Sequence, residues 1–158
     1  MTVDRQTIRR TLGRFAAGVT VVTTRTKDGT PCGLTATAFS SVSLDPPLVL
    51  VCVDKGAESY PHMMEAEAFC VSFLREEQAA VSNQFARSGI DKFAGVATNT
   101  SGREIPWIDG GLAHLDCRTE QRVDAGDHTI FIGLVEAAET FAGEPLVYYD
   151  GGYRKFEA

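Results

Sequence analysis

The chain has 158 residues, 44% of them hydrophobic and 23% charged, and its 15 Lys and Arg against 21 Asp and Glu leave a formal net charge of −6. That size fits one domain, residues 1–158, with a substantial core that needs no disulfide or metal staple, and the apolar content argues against disorder. The acidic balance offers no broad attraction to nucleic acid or to an anionic membrane, no stretch approaches the roughly 20 apolar residues of a transmembrane helix, and the polar start lacks a signal-peptide run.

In chain order, Asp4 is a natural N-cap, and Ile8, Leu12, Phe15 and Ala16 form one stripe of a 3.6-residue period, so a helix is expected to run toward a stop at Gly18. The β-branched run Val19 to Thr24 predicts a strand. Asp28-Gly29 predicts a hairpin turn that returns through Cys32 to Ala36. Residues 37–44 are rich in hydroxyls, fit a strand-to-loop transition, and run into Pro46-Pro47, where ladder pairing is expected to stop. Leu48 to Val53 is continuously apolar and predicts a strand buried on both faces. A short helix over 59–68, a strand over 69–74 and an amphipathic helix over 76–87 follow. Residues 88–110 lack periodicity and predict a long surface loop. Strands are expected over 112–123 and 128–139 around a turn at 124–127, and then over 145–149 and 153–156.

Six or seven strands with a few short helices, and no β-α-β-α alternation, exclude a doubly wound parallel sheet. A closed or partly closed antiparallel barrel with peripheral helices fits better. Cys32, Cys52, Cys70 and Cys117 are widely spaced without a C-x-x-C, so no zinc framework is expected. Three of them lie in apolar runs, and a reducing cytoplasm suits such usage. His62, His114 and His128 are far apart and point to no metal site. Phosphate-loop, dinucleotide-fold and serine-hydrolase motifs are absent from the sequence.

Three local features carry chemistry. Residues 34–47 place five hydroxyls among small residues, which would let a ligand reach the backbone; a plain polar strand end has the same pattern. Asn83 to Arg87 with Asp91-Lys92-Phe93 offers two cations and two aromatics for a phosphate and a planar ring; a solvated helix end also fits. Asp127-His128 at a strand mouth can orient an imidazole, or be a surface turn.

Five ordered blocks together resemble the flavin reductase-like family, small NAD(P)H:flavin oxidoreductases that serve two-component monooxygenases. The blocks are Gly13 to Thr24, Leu34 to Val53, Phe85-Ala86 with Asp91-Lys92-Phe93, Ala125 to Gly133 and Pro145 to Tyr149, which span nearly the whole chain. The resemblance implies a flavin-binding split β-barrel, a homodimer, FMN or FAD as the flavin, NADH or NADPH as hydride donor, and a partner flavin-dependent monooxygenase. It places Thr35, Ala36, Thr37, Ser40 and Ser41 along the flavin ring edge and ribityl-phosphate, and Cys52, Val53, Asp54 and Lys55 beside the ring. Ser59, Phe85, Ala86, Lys92 and Phe93 would complete the phosphate end. His128 would serve the hydride step near the nicotinamide, with Tyr153 and Arg154 in the same pocket. Two positions depart from the family pattern. Thr37 stands where Asn is frequent, and Asp150 or Gly152 stands where a basic residue is common, which leaves the NADH or NADPH choice open. A flavin carrier without turnover and a flavin-using corrinoid reductase fit the same residues.

Overall fold

A computed structural model describes residues 2–157. The helix α1 (Arg5–Leu12) starts as expected, with the Asp4 carboxylate accepting the Thr7 amide at 2.9 Å. It ends at Gly13, not Gly18, because a short strand β1 (Ala17–Gly18) pairs with the C-terminal β11 (Leu146–Tyr149), which continues to β12 (Gly152–Lys155). The expected apolar stripe is not buried within this chain: Ile8 and Leu12 are exposed, and Phe15 is 81% exposed.

The main sheet has seven antiparallel strands in the order β3-β2-β6-β9-β10-β5-β4. They are β2 (Thr20–Arg25), β3 (Pro31–Ala36), β4 (Phe39–Leu44), β5 (Pro47–Asp54), β6 (Ala68–Phe73), β9 (Ala113–Ala125) and β10 (His128–Thr140). The β-branched run of β2 is buried on both faces, with Val22 in one core cluster and Val21 in another. By contrast β5, expected to be buried on both faces, alternates. Val49, Val51 and Val53 enter the core while Leu48, Leu50 and Cys52 stay half-buried.

Residues 39–44 form a strand, not a loop, and Asp45 and Pro46 make the turn of a β4–β5 hairpin whose pairing begins at Leu44 with Pro47. Pro47 is tolerated because it is the first residue of its strand. The 88–110 segment is likewise not a plain surface loop. It carries a small hairpin, β7 (Thr98–Thr100) with β8 (Pro106–Ile108), whose Ile105, Trp107 and Ile108 are buried. Thr23 on β2 donates its hydroxyl to the Pro106 carbonyl and holds that hairpin against the sheet. Two further helices, α2 (Tyr60–Glu65) and α3 (Ala79–Phe85), lie at the periphery.

The fold is therefore mainly antiparallel β with peripheral helices, but strand pairing does not close it into a barrel. Consecutive strands β3 and β4 occupy opposite ends of the sheet order, although only Thr37 and Ala38 separate them. The sheet must curl until its two ends meet at that corner. There the Ala38 carbonyl accepts the Cys52 amide at 2.9 Å, which ties the corner to β5.

Candidate functional site

A cavity of about 300 Å³ opens beside this corner. One wall is the edge strand β3 and its continuation, Leu34 to Ala38. Cys52 and Asp54 of β5 and His128 of β10 form the facing wall, and Phe85, Ala86, Ser88 and Lys92 close one side with Ala57 and Glu58. Among the described residues no strand pairs with the outer side of β3, so this wall can present backbone donors and acceptors to a ligand. Ala36, Ala38, Ala57 and Ala86 leave room for a flat group to approach that backbone.

The β3 wall is fastened by side chains at Thr35 and Gly33. The Thr35 hydroxyl donates to the Ser82 carbonyl at 2.6 Å, which fastens the strand to α3. The Gly33 carbonyl accepts two bonds, from Ser59 Oγ at 2.7 Å and from Lys92 Nζ at 2.9 Å. Gly33 is required there, since a Cβ would come within 2.7 Å of the Val22 carbonyl oxygen and 3.2 Å of Phe85 Cε1. Phe85 in turn meets Phe93 edge-on at 4.9 Å between centroids, so the 88–96 strap is anchored over the pocket. The Gln84 side-chain amide adds bonds to the Lys92 and Ala94 carbonyls at 2.8 and 2.9 Å.

Lys92 is half-buried, and that burial pulls its pKa below the ordinary lysine value, while the Glu58 charge works against the shift. Its ammonium has three donors, and one is spent on Gly33. Burial also pushes the Cys52 thiol up, and it pushes Cys32 up to about 11, so both are held as neutral thiols near pH 7. On the facing wall, His128 Nδ1 lies 2.7 Å from Asp127 Oδ1, and the contact with His128 holds the Asp127 carboxyl below its usual range. Lys55 fixes the turn that carries this pair. Its amide donates to the Asp127 carbonyl at 2.9 Å, and its ammonium donates to the Gly126 carbonyl and bonds Asp124.

The structure brings Thr35, Ala36, Thr37, Cys52, Asp54, Phe85, Ala86, Lys92 and His128 to one cavity. It places other candidates elsewhere. The Val53 side chain points into the core because β5 alternates, and Lys55 is engaged by the β9–β10 turn. Ser40 and Ser41 lie exposed along β4, outside this cavity, since that segment is strand. Ser59 and Phe93 line a neighbouring cavity of about 370 Å³ that shares Glu58 and Lys92 with the first. Tyr153 belongs to a third, lined also by Thr35, Thr37 and Ala86, where its hydroxyl bonds Ser82 Oγ at 2.6 Å and Asn83 Oδ1 at 2.9 Å. Arg154 lines none of these and bonds the Tyr153 carbonyl. Glu58 was not expected at the site, because a single acid in a loop carries no pattern in sequence.

The flavin reductase like domain family matches residues 12–157 of this chain. The chain is 49% identical over 148 residues to the reductase component of a flavin-dependent trigonelline monooxygenase of Acinetobacter baylyi, covering 92% of this chain and 47% of that protein. It therefore spans about half the length of that relative. It is 38% identical over 156 residues to the reductase subunit of a flavin-dependent monooxygenase of Rhodococcus jostii, covering 98% of this chain and 80% of the relative. Among solved structures, it superposes with a TM-score of 0.92 and 38% identity on the NADH:FAD oxidoreductase of Streptomyces globisporus in complex with NAD and FAD fragments. That match covers 99% of this chain and 97% of the other.

Proposed function

The chain belongs to the flavin reductase-like family, and from that premise we propose that it is an NAD(P)H-dependent flavin reductase acting at the β3 cavity. One observation carries the reading: a cavity with an edge-strand wall that is lined by both a half-buried ammonium and an imidazole. The residues present fit a flavin. The unpaired side of β3 suits the alternating donors and acceptors of a planar ring edge, the alanines leave space for its face, and Lys92 keeps two donors for a phosphate. When bound, the flavin would supply the hydride-accepting chemistry, with FMN or FAD as acceptor and NADH or NADPH as donor.

The chain's own residues position and polarise. The backbone of Thr35 to Thr37 holds the ring edge, with Thr35 kept in place by α3. Lys92 binds the phosphate, helped by the Ser59 bond that fixes Gly33. His128, oriented by Asp127, faces the open side, where it orients the nicotinamide and adjusts the electrostatics of transfer. Tyr153 holds Ser82 and Asn83 in the adjoining cavity that shares Thr35, Thr37 and Ala86.

The proposed working unit is a homodimer. Phe15 and, at 94% exposure, Leu44 leave apolar surface that a second copy would cover. The proposed setting is the cytoplasm, in keeping with four free cysteines. The proposed recipient is a flavin-dependent monooxygenase that takes up diffusing reduced flavin. Mixing the protein with NADH or NADPH and each of FMN, FAD and riboflavin tests the reading. Loss of the reduced-nicotinamide absorbance with at least one pair is expected. No loss with any pair would leave a flavin-carrying module without turnover.

A further inference from the structure

Lys92 lies on a segment without helix or strand, yet it is held half-buried at the cavity. A lysine has a long flexible stem and a strongly hydrated head, so on an irregular segment it ordinarily reaches out to water. Burial here works against its charge, which draws the residue outward still more. The Gly33 carbonyl holds only the tip of the side chain. Its backbone needs a separate anchor.

Gln84 of α3 supplies one. Its side-chain amide nitrogen meets three carbonyls of the strap, Lys92 at 2.8 Å, Ala94 at 2.9 Å and, more loosely, Asp91 at 3.4 Å. Three oxygens around one end of the side chain identify that end as the NH2 group, which shares two hydrogens among them. The Asp91 carboxylate completes the turn by accepting the Phe93 amide at 3.0 Å. Two residues before Gln84 on the same helix, the Ser82 carbonyl accepts the Thr35 hydroxyl of the β3 wall. One short helix thus fixes both the wall and the lysine. The ring and the phosphate of a flavin are joined through its ribityl chain, so a site that grips both must fix wall and cation relative to each other. Gln84 itself lines none of the three cavities. We propose that Gln84 is a positioning residue for the flavin phosphate: without touching the ligand, it holds the strap so that the Lys92 ammonium stands ready beside the β3 wall. The inference rests on the flavin reading above and adds a residue to it.

The test is a flavin-fluorescence titration of the wild-type chain, Gln84→Met, Lys92→Ala and the double variant with riboflavin, FMN and FAD. Methionine matches glutamine in length and helix propensity but donates no hydrogen bond. In Gln84→Met, FMN and FAD should each weaken about fivefold, with riboflavin unchanged. In the Lys92→Ala background the same substitution should change FMN by less than about twofold, because the ammonium it positions is gone. Gln84→Asn, whose amide is drawn back by one methylene, should repeat the loss and takes the place of Gln84→Met if that variant does not fold. Equal weakening of all three flavins would show that Gln84 supports the pocket as a whole. A loss of the same size with and without Lys92 would show that it acts by another route, and no loss would show that Lys92 is held without it. Each of these results overturns the inference and leaves the flavin reading standing. If none of the three flavins binds the wild-type chain, the flavin reading falls and takes the inference with it.

Discussion

β3 and β4 are both edge strands of one sheet, yet the carbonyl of Gly33 on β3 receives Ser59 and Lys92 and the Thr35 hydroxyl holds α3, whereas β4 leaves Val42 and Leu44 exposed. An unpaired edge is a general liability, and proteins cover it, charge it or use it. Here one edge is fastened by side chains at Gly33 and Thr35, which keeps it rigid enough to serve as a binding wall. The other edge has no such fastening within the chain and faces outward. The contrast shows that an edge becomes a site when side chains fasten part of it and leave the rest of its backbone open.

Substitutions on the two edges should therefore differ sharply. Gly33→Val puts branched carbon against the Val22 carbonyl and Phe85, and overpacking of that kind should lower stability by about 3 kcal/mol in chemical denaturation. A Gly33→Val protein as stable as the wild type would mean that β3 is not fastened as described. Lys92→Ala should weaken FMN by about thirtyfold, the scale of a lost charge-assisted hydrogen bond, and leave riboflavin nearly unaffected in the same titration. Equal losses for both would take Lys92 away from the phosphate. His128→Ala, on the facing wall, should lower kcat about tenfold while flavin still binds. Loss of flavin binding with residual turnover unchanged would contradict that division of labour. Ser41→Val on the bare β4 edge should stay within about 0.5 kcal/mol of the wild type in the same denaturation assay.

Much of the strand order in sequence was legible because β-branched runs and hairpin turns are local signals. Val19 to Thr24 and Asp28-Gly29 show this. What escaped depended on partners far along the chain. Residues 39–44 read as a loop because an edge strand with both faces largely solvated has no apolar alternation to show. Ile105, Trp107 and Ile108 were hidden because a three-residue strand is too short for a period, and their burial comes from partners far upstream, Ala68 and Cys70 of β6 for the first two and Val19, Val21 and Leu74 for Ile108. The stripe of α1 followed the helical period, but no element of the same chain covers it.

The site divides in the same way. No spacing unites Thr35, Cys52, Lys92 and His128, which lie on four separate segments, and only the ordered family blocks linked them. Those blocks could not distinguish a side chain that faces the cavity from one that faces the core. Val53 and Cys52 are neighbours in sequence and point to opposite sides. Glu58 lies outside any such pattern, and its place beside Lys92 follows only from folding the strap back over the loop before α2.

The two-residue passage from Ala36 to Phe39 has a mechanical consequence. Three Cα steps reach at most about 10 Å when fully extended, so the two sheet ends cannot part further than that at the corner. The passage is a short leash, and the Ala38 to Cys52 bond shortens it further. The spacing of the β3 and β5 walls at the corner is therefore set by chain length as well as by packing, and glycines inserted after Ala38 would release it.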